Sequence, residues 1–348
     1  MDNTPPSVRT TSPGSRRRRA LDAASRPDLW KRGPVLAALA LLLGLLMMLH
    51  ARIPNRGLGN LGSLVETFLP WFGLFVPVLL AGALWRRSAS AVVALLLPVA
   101  VWLNLFGGLL GDKSDRGGDL TVAGENVSAG NPDPARTARS LAASAPDVLA
   151  LVELTPQTTG IFEEGLAKAY RYHTVQGTVG LWSTLPLSDT RPIDVVDYGP
   201  LARTMPLDRK LAPNRALRTT VTTDHGPLTV YVAHLGSVRV TPGGGFRTAS
   251  RDIGSQALGK AVAADPSPRV VLLGDLNGTT DDRAFAAVTA RMRSAQDVAG
   301  DGFGFTWPAA FPVARIDQIL VRGVQAESSR VLPANGSDHL PVAAAIAW

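Results

Sequence analysis

Ser337-Asp338-His339-Leu340-Pro341 stands directly before an apolar run, residues 342–348, which predicts a β-strand at the end of the sequence. The pentapeptide places a carboxylate beside an imidazole at the point where this strand begins. A carboxylate can hold a hard cation, and an imidazole can donate a hydrogen bond to a phosphate oxygen. Taken alone, the stretch is equally well explained as an Asp-containing surface turn, so its meaning depends on the rest of the chain.

Polar side chains of matching chemistry follow four other apolar runs. These residues are Asn126, Glu153, His234, and Asp275 together with Asn277. Carboxylates, amide oxygens and imidazoles in this proportion suit Mg²⁺ or Mn²⁺ better than zinc, which prefers more His or Cys ligands. Each residue alone has an ordinary explanation as a turn former, a helix cap or a core histidine. Their recurrence at strand ends predicts a metal and phosphate site at one edge of a sheet core.

Between residues 119 and 348, predicted strands often follow one another with no helix between them. Helices are predicted to open at Pro134 and to cover 156–168 and 246–264. This pattern favours α+β layers with much antiparallel pairing over a doubly wound parallel sheet.

The first third of the chain has a different character. Apolar runs cover 35–49, 68–85 and 89–110, and together they predict three transmembrane helices. The basic N-terminal arm and the Arg86–Arg87 pair favour the cytoplasm, which places the domain after the third run outside. If the first run were a cleaved signal, two spans would remain and that domain would still lie outside. Glu66 is the one acid near these runs and is peripheral to them, which argues against an ion path and a transporter subunit.

Composition sets the domain boundaries. Residues 1–33 form a basic arm with too little apolar content to fold, 34–110 the membrane region, 111–118 a polar, glycine-rich linker, and 119–348 the soluble domain. Much of the net charge of +7 lies in the arm, where it serves membrane orientation better than nucleic-acid binding. The chain has no cysteine, which excludes disulfides, zinc-thiolate sites and a thiol nucleophile.

Six short motifs occur in the order found in the endonuclease/exonuclease/phosphatase superfamily, which residues 119–348 closely resemble. They are Glu125-Asn126-Val127, Val152-Glu153-Leu154, Ala233-His234-Leu235, Gly274-Asp275-Leu276-Asn277, Arg315-Ile316-Asp317-Gln318 and Ser337-Asp338-His339-Leu340-Pro341. The resemblance implies a four-layered α/β (α+β) sandwich, in which two mixed β-sheets pack face to face with helices outside. Here the three predicted transmembrane helices precede it.

The resemblance also implies a metal site. Glu153 would be the principal Mg²⁺ ligand, and Asn126 and Asp338 would lie close to the metal. Mn²⁺ is the alternative ion. The number of metal ions stays open.

Catalytic roles follow from the same resemblance. Asp275 would orient or deprotonate the attacking water, and Asn277 would position the phosphate. His339 would contact the scissile phosphate while the carboxylate of Asp317 holds its ring. His234 would be the second imidazole on the phosphate side, and no acidic partner for it is evident in the sequence.

The sequence therefore predicts a membrane-embedded, Mg²⁺-dependent phosphodiester hydrolase whose catalytic domain lies outside the cytoplasmic membrane. Its substrate would be a nucleic acid, a lipid or a small phosphoester, and fold does not choose among them. The alternatives are a lipid or small-molecule phosphodiesterase or phosphatase, and an inert membrane sensor or scaffold that kept the fold. No obligate protein partner is predicted.

Overall fold

The computed structural model describes residues 27–55, 57–115, 117–196 and 214–348, so most of the predicted basic arm lies outside the described residues. The chain divides into two compact units. The helical unit takes its described residues from 1–49 and 69–107, and the sandwich unit comprises 50–68 and 108–348. The predicted domain boundaries stay predictions. This division differs from them in giving residues 50–68, here called the strap, to the sandwich unit.

Eleven α-helices occur in the described residues. They are α1 Pro27–Lys31, α2 Pro34–Met48, α3 Leu61–Thr67, α4 Phe75–Trp85, α5 Ala89–Ala94, α6 Leu96–Phe106, α7 Pro134–Ser144, α8 Thr159–Leu166, α9 Ala249–Ala264, α10 Ala286–Thr289 and α11 Ala295–Ala299. Short 3₁₀ turns cover His50–Arg52, Leu69–Leu74, Gly107–Leu109 and Arg283–Phe285.

The three predicted transmembrane helices are not supported by the lengths of the helices. Only the stretch Ala89–Leu109, 21 residues, is by itself long and apolar enough to cross a membrane. Pro34–Met48 has 15 residues, about 22 Å at 1.5 Å per residue, against a hydrocarbon core of about 30 Å. Leu69–Trp85 passes the same test only when it is counted together with Leu61–Thr67 across a bend. By length and composition, the described residues therefore offer one span, or two with the bent pair.

Two six-stranded sheets form the sandwich unit. The first sheet has the order β13-β14-β1-β2-β4-β3 and the second β11-β12-β10-β7-β6-β5. The strands are β1 Leu120–Asn126, β2 Val148–Val152, β3 Tyr172–Gln176, β4 Val179–Ser183, β5 Leu187–Pro192, β6 Ala216–Thr223, β7 Gly226–Ala233, β8 Arg239–Thr241, β9 Gly245–Arg247, β10 Val270–Asp275, β11 Arg293–Ser294, β12 Asp317–Arg322, β13 Gln325–Val331 and β14 Val342–Ala347. Strands β8 and β9 pair as a separate hairpin. One pair in each sheet is parallel, β1 with β2 and β7 with β10, so both sheets are mixed.

The core has four layers. Apolar side chains of both sheets, among them Val122, Val230 and Leu273, fill the space between the sheets. Helices α7 and α8 pack on the outer face of the first sheet. Helices α9 and α10 pack on the outer face of the second. Because β2 and β10 are covered on both faces, all their residues are buried and both read as continuous apolar runs. The predicted pair of mixed sheets flanked by helices is confirmed.

Strand direction brings the predicted site residues to one edge. In the first sheet, Asn126 pairs with Val152, the residue before Glu153, at the ends of parallel strands. In the second sheet, Leu273 pairs with Val232, so Asp275 and His234 follow at the ends of β10 and β7. Strand β12 runs the other way and begins at this edge, where Asp317 pairs directly with Asp275.

Candidate active site

Asp275, Asp317 and His339 form the centre of the candidate site. One ligand atom from each lies within 4.8 Å of the others, and all three side chains are buried. His339 Nδ1 lies 2.9 Å from Asp317 Oδ2, and His339 Nε2 lies 3.9 Å from Asp275 Oδ2. We call these three residues the active-site cluster. The contact between His339 and Asp317 is the one that the sequence predicts.

Three further predicted residues surround the Asp275 carboxylate. Asn126 Nδ2 donates to Asp275 Oδ2 at 3.0 Å, and His234 Nε2 lies 3.7 Å from the same oxygen. Asn277 donates its backbone N–H to Asp275 Oδ1 at 2.8 Å and its side-chain Nδ2 to Oδ2 at 3.1 Å. Asp275 is therefore the carboxylate nearest to His234 that the structure gives, and it supplies the partner missing from the sequence pattern.

Backbone conformation at the strand ends allows this close approach. Gly274 has a φ of 138°, and a Cβ there would lie 2.0 Å from the carbonyl oxygen of Ala233. Only glycine therefore fits between β7 and β10 just before Asp275. Asn277 and Glu153 are also left-handed, at φ 51° and 66°. Asn tolerates this region, whereas Glu153 is a strained outlier of the kind that concentrates at functional sites.

The serine of the opening pentapeptide fastens the last motif to β1. Ser337 Oγ donates to the carbonyl oxygen of Asn126 at 2.6 Å and accepts the backbone N–H of His339 at 3.2 Å. The sequence reasoning gave Ser337 no role. Its signal is local, because a Ser hydroxyl two residues before a backbone N–H often closes such a turn.

Burial and charge set the protonation of the site. Burial and the neighbouring carboxylate of Asp317 raise the pKa of Asp275 to about 7. Burial works against a charged His339, but the carboxylates of Asp317, Asp275 and Asp338 raise its pKa to about 9. Burial and then the positive charges of Arg215 and His339 hold the pKa of His234 well below its usual value. At neutral pH the site thus combines an imidazolium, a neutral imidazole and a carboxyl close to its titration point.

The donor set fits a divalent cation. Two buried carboxylates face each other across the β10–β12 pair, and Asp317 Oδ1 has no hydrogen-bond partner among the described residues. Such unmatched negative charge is costly to bury unless a proton or a cation neutralises it. Carboxylate and amide oxygen donors suit Mg²⁺ or Mn²⁺. When bound, an ion of this kind would neutralise phosphate charge and lower the pKa of a water ligand.

The three predicted metal ligands lie at different distances from the active-site cluster and differ in burial. Asn126 is buried and touches Asp275, as described above. Glu153 is half-buried at the same edge, and its Oε1 accepts the backbone N–H of Ala129 at 3.3 Å. Asp338 is exposed, and neither it nor Glu153 belongs to the group of ligand atoms within 4.8 Å. The assignment of Glu153, Asn126 and Asp338 to the metal stays a prediction, as do the other residue roles.

A model of the Endonuclease/Exonuclease/phosphatase family matches residues 102–339, which is more than half of the chain. The chain therefore belongs to this family, whose members in general hydrolyse phosphoester bonds and depend on divalent metals. The resemblance predicted from the six motifs is confirmed. A search of the curated proteins finds no match to the chain.

Solved structures share the fold at low sequence identity. A functionally unknown protein from Enterococcus faecalis aligns with a TM-score of 0.53 and 16% identity, covering 66% of this chain and 99% of that chain. TDP2 of D. rerio, complexed with single strand DNA product, gives 0.52 and 18% over 66% and 99%. A mannosyl-6-phosphatase from Bacteroides thetaiotaomicron gives 0.50 and 16% over 66% and 100%. At these identities the likeness shows the fold alone.

Proposed function

We propose that the protein is a Mg²⁺-dependent phosphodiester hydrolase anchored in a membrane, with its sandwich unit outside the cytoplasm. The observation that carries the hydrolase activity is the buried active-site cluster at the edge where strands of both sheets end. The oxygen donors of the cluster fit a hard divalent cation, and His339 of the cluster differs in protonation from the neighbouring His234. Glu153, Asn126 and Asp338 would hold Mg²⁺ together with oxygens of the cluster.

The residues divide the chemistry by their protonation. Asp275, whose pKa is raised to about 7, accepts the proton of the attacking water. His339 is charged and donates to a phosphate oxygen, while Asp317 keeps its ring in place at 2.9 Å. His234 is neutral and faces Asp275 through Nε2 at 3.7 Å, and we assign it to a second phosphate oxygen. Asn277 donates to Asp275 and to the carbonyl oxygen of Leu235, and these bonds hold the carboxylate of Asp275, the general base, in position.

Nucleic acid is the substrate we place first, and a small phosphoester is the second candidate. Among the structural neighbours, one was solved with a DNA product and another is named a mannosyl-6-phosphatase. Both kinds of phosphoester are therefore handled by proteins with this fold. Hydrolysis of a lipid phosphodiester stays a further alternative.

The decisive experiment uses the full chain in detergent, because the strap belongs to the sandwich unit and would be missing from residues 119–348. DNA, RNA, sphingomyelin and bis-p-nitrophenyl phosphate are offered with Mg²⁺, with Mn²⁺ and with EDTA. We expect metal-dependent hydrolysis that Asp275→Ala abolishes and Glu163→Gln, an exposed control, retains. Hydrolysis of none of the four, or equal activity of Asp275→Ala, would contradict the proposal.

Membrane topology needs its own test. The strap lies between two apolar stretches and packs into the sandwich unit, which supports both being on one side of a membrane. The stretch 69–109 would then enter the membrane and return to the same side, with Arg86 and Arg87 at its far turn; Ala89–Leu109 is long enough to cross alone, and Leu69–Trp85 would be a shorter crossing arm without Leu61–Thr67, which belongs to the strap. Because the chain lacks cysteine, single cysteines can be placed at Leu58, at Arg86 and after Trp348. We expect an impermeant maleimide to label the first and third in intact cells. Labelling of Arg86→Cys instead would overturn this topology.

A further inference from the structure

The strap lies outside the segment that the family model matches, yet it is built into the sandwich unit. It contains the 3₁₀ turn His50–Arg52 and helix α3, while the family match begins at residue 102. Ser63 and Glu66 of α3 are fully buried although both are polar. Buried polar side chains need partners; Asn55 and His50 of the strap supply some of them, and residues 251, 282 and 283, about 190 to 220 positions away, supply the rest.

Glu66 is bound by Arg283 in a bidentate ion pair. Glu66 Oε1 lies 2.8 Å from Arg283 Nη2, and both carboxylate oxygens lie 3.0 Å from Nε. The backbone N–H of Arg283 donates to Oε2 at 3.2 Å. The same guanidinium donates to the carbonyl oxygens of His50 at 2.9 Å and Ile53 at 2.8 Å. One arginine thus joins α3 and the start of the strap to the turn at residue 283.

A second ion pair lies beside the first. Arg251 on α9 is fully buried, and its Nη1 lies 2.8 Å from Asp282 Oδ2. Ser63 Oγ of the strap donates to Asp282 Oδ1 at 3.3 Å and accepts from Arg251 Nη2 at 3.4 Å. The strap therefore holds two consecutive residues of one turn, Asp282 and Arg283.

That turn continues directly from the active site. Asn277, which donates to Asp275, is followed by Gly278, and a Cβ on Gly278 would lie 3.0 Å from Arg251 Nη1. The backbone N–H of Asp282 then donates to the carbonyl oxygen of Thr279 at 3.1 Å. Residues 277–283 are thus fixed at one end by the catalytic carboxylate and at the other by the strap.

We propose that Glu66 is a positioning residue for the hydrolysis, acting through Arg283 on the turn that carries Asn277. The proposal rests on the proposed function. Removing the Glu66 carboxylate leaves the Arg283 guanidinium and backbone N–H without their main partner, so the turn loosens. Displacement of catalytic groups by about 1 Å can cost about 100-fold in rate, so we expect kcat to fall about 10- to 100-fold. KM should change little, because Glu66 does not touch the substrate.

The kinetic test compares Glu66→Gln, Glu66→Ala and Arg283→Gln in the full chain. Gln keeps one acceptor oxygen, so Glu66→Gln should lose less kcat than Glu66→Ala. The double variant Glu66→Gln with Arg283→Gln should be no worse than the poorer single variant, because both act through one contact. Glu163→Gln breaks an exposed pair with His173 at 3.6 Å and serves as the matched control. Unchanged kcat in both Glu66 variants of an active protein would refute the proposal.

Hydrogen exchange gives a readout that needs no substrate. In Glu66→Ala, peptides covering 277–285 should exchange faster than in the wild type, while peptides covering β4 should be unchanged. If the wild type hydrolyses none of the offered substrates, the proposed function fails. Hydrogen exchange alone then tests whether Glu66 holds the turn at residues 277–283. Unchanged exchange at 277–285 would overturn the inference. Equally faster exchange throughout the sandwich would also overturn it, because Glu66 would then serve overall stability rather than the turn.

Discussion

The active-site cluster and the ion pairs of the strap are two buried charged groups built on opposite principles. Where the strap packs, each buried acid has an arginine: Glu66 of the strap pairs with Arg283, and Asp282, which accepts from Ser63 of the strap, pairs with Arg251. In the active-site cluster, two carboxylates face each other with one imidazole between them, and no arginine or lysine of the described residues pairs with them.

The arginine-paired acids stabilise the packing of the strap, whereas the active-site cluster is suited to chemistry. Buried acids matched by arginines are neutralised within the protein, and breaking such a pair leaves an uncompensated charge. Asp275 and Asp317 are not neutralised in this way, which raises the pKa of Asp275. Such a carboxylate can gain and lose a proton, or share a cation, near neutral pH. The predictions below alter one cluster at a time.

The largest effect is expected from Asp275→Asn. The amide keeps the shape but cannot accept a proton from water, and loss of a general base costs about 10²- to 10⁴-fold in kcat. This exceeds the loss expected for Glu66→Gln. The melting temperature should change little, because the change removes a carboxylate that faces Asp317 but also replaces an oxygen that accepts from Asn126 or Asn277 by an NH₂ group. Steady-state kinetics and thermal unfolding of the same preparation test both points. Wild-type kcat in Asp275→Asn would remove Asp275 from the chemistry.

Stability against pH should have opposite signs in the two clusters when metal is removed with EDTA. The pKa values of Asp275 and His339 in the active-site cluster are raised to about 7 and 9, and burial and the nearby Asp317 raise the pKa of Glu125 outside the cluster to about 8, so these contributions are present at low pH. They are lost as pH rises through those values, each by up to about 1.4 kcal/mol per pH unit. Hydrogen bonds from His50 and Arg283 outweigh burial and lower the pKa of Glu66, so its contribution is lost as pH falls through that lowered value.

Single variants separate the pH-dependent contribution of the active-site cluster from that of Glu66. Thermal unfolding from about pH 2 to 9 should show a shallower decline between about pH 4 and 7 in Asp275→Asn, and a shallower decline on acidification below about pH 4.5 in Glu66→Gln. Added Mg²⁺ should restore stability mainly at high pH, where the carboxylates of the active-site cluster are ionised. A metal-free wild type that gains stability from pH 5 to 9 would contradict the charge balance described here.

The sandwich and its active edge could be predicted because their signals are local. Strands β2 and β10 read as short apolar runs, and each ends in a polar residue, Glu153 or Asp275. Parallel neighbours end at one edge, so residues at such ends meet there. The direct pairing of Asp275 with Asp317 could not be predicted, because antiparallel register depends on a connection of more than forty residues.

The contacts of the strap and the helix lengths of the membrane region could not be predicted from the sequence, for two different reasons. Glu66 reads as a peripheral acid beside an apolar run, because its partner lies 217 residues away and leaves no local pattern. Residues 68–85 read as one continuous apolar helix. The chain instead forms a 3₁₀ turn over Leu69–Leu74 before α4 begins. Hydrophobicity alone does not reveal such a break, and Pro70 and Gly73 were its local signals.

The smallest expected effect tests how closely the strap is packed. Gly62 lies in α3, and a Cβ there would come 2.5 Å from the carbonyl oxygen of Ile53 and 2.6 Å from Arg283 Nη2. Backbone must move to admit it, so Gly62→Ala should lower the free energy of unfolding by about 1–3 kcal/mol. Gly160 in α8 has no atom within 4 Å of its Cβ position, so Gly160→Ala should be neutral or stabilising by up to about 1 kcal/mol.

Thermal unfolding of the two alanine variants in parallel gives the comparison. If Gly62→Ala also lowers kcat while KM is retained, packing of the strap and geometry of the active site are linked, as the contact through Arg283 requires. If Gly62→Ala were as stable as Gly160→Ala, the strap would not be packed against Ile53 and Arg283. The paired charges would then be a surface contact worth little, and only the active-site cluster would remain as a buried charged group with consequences.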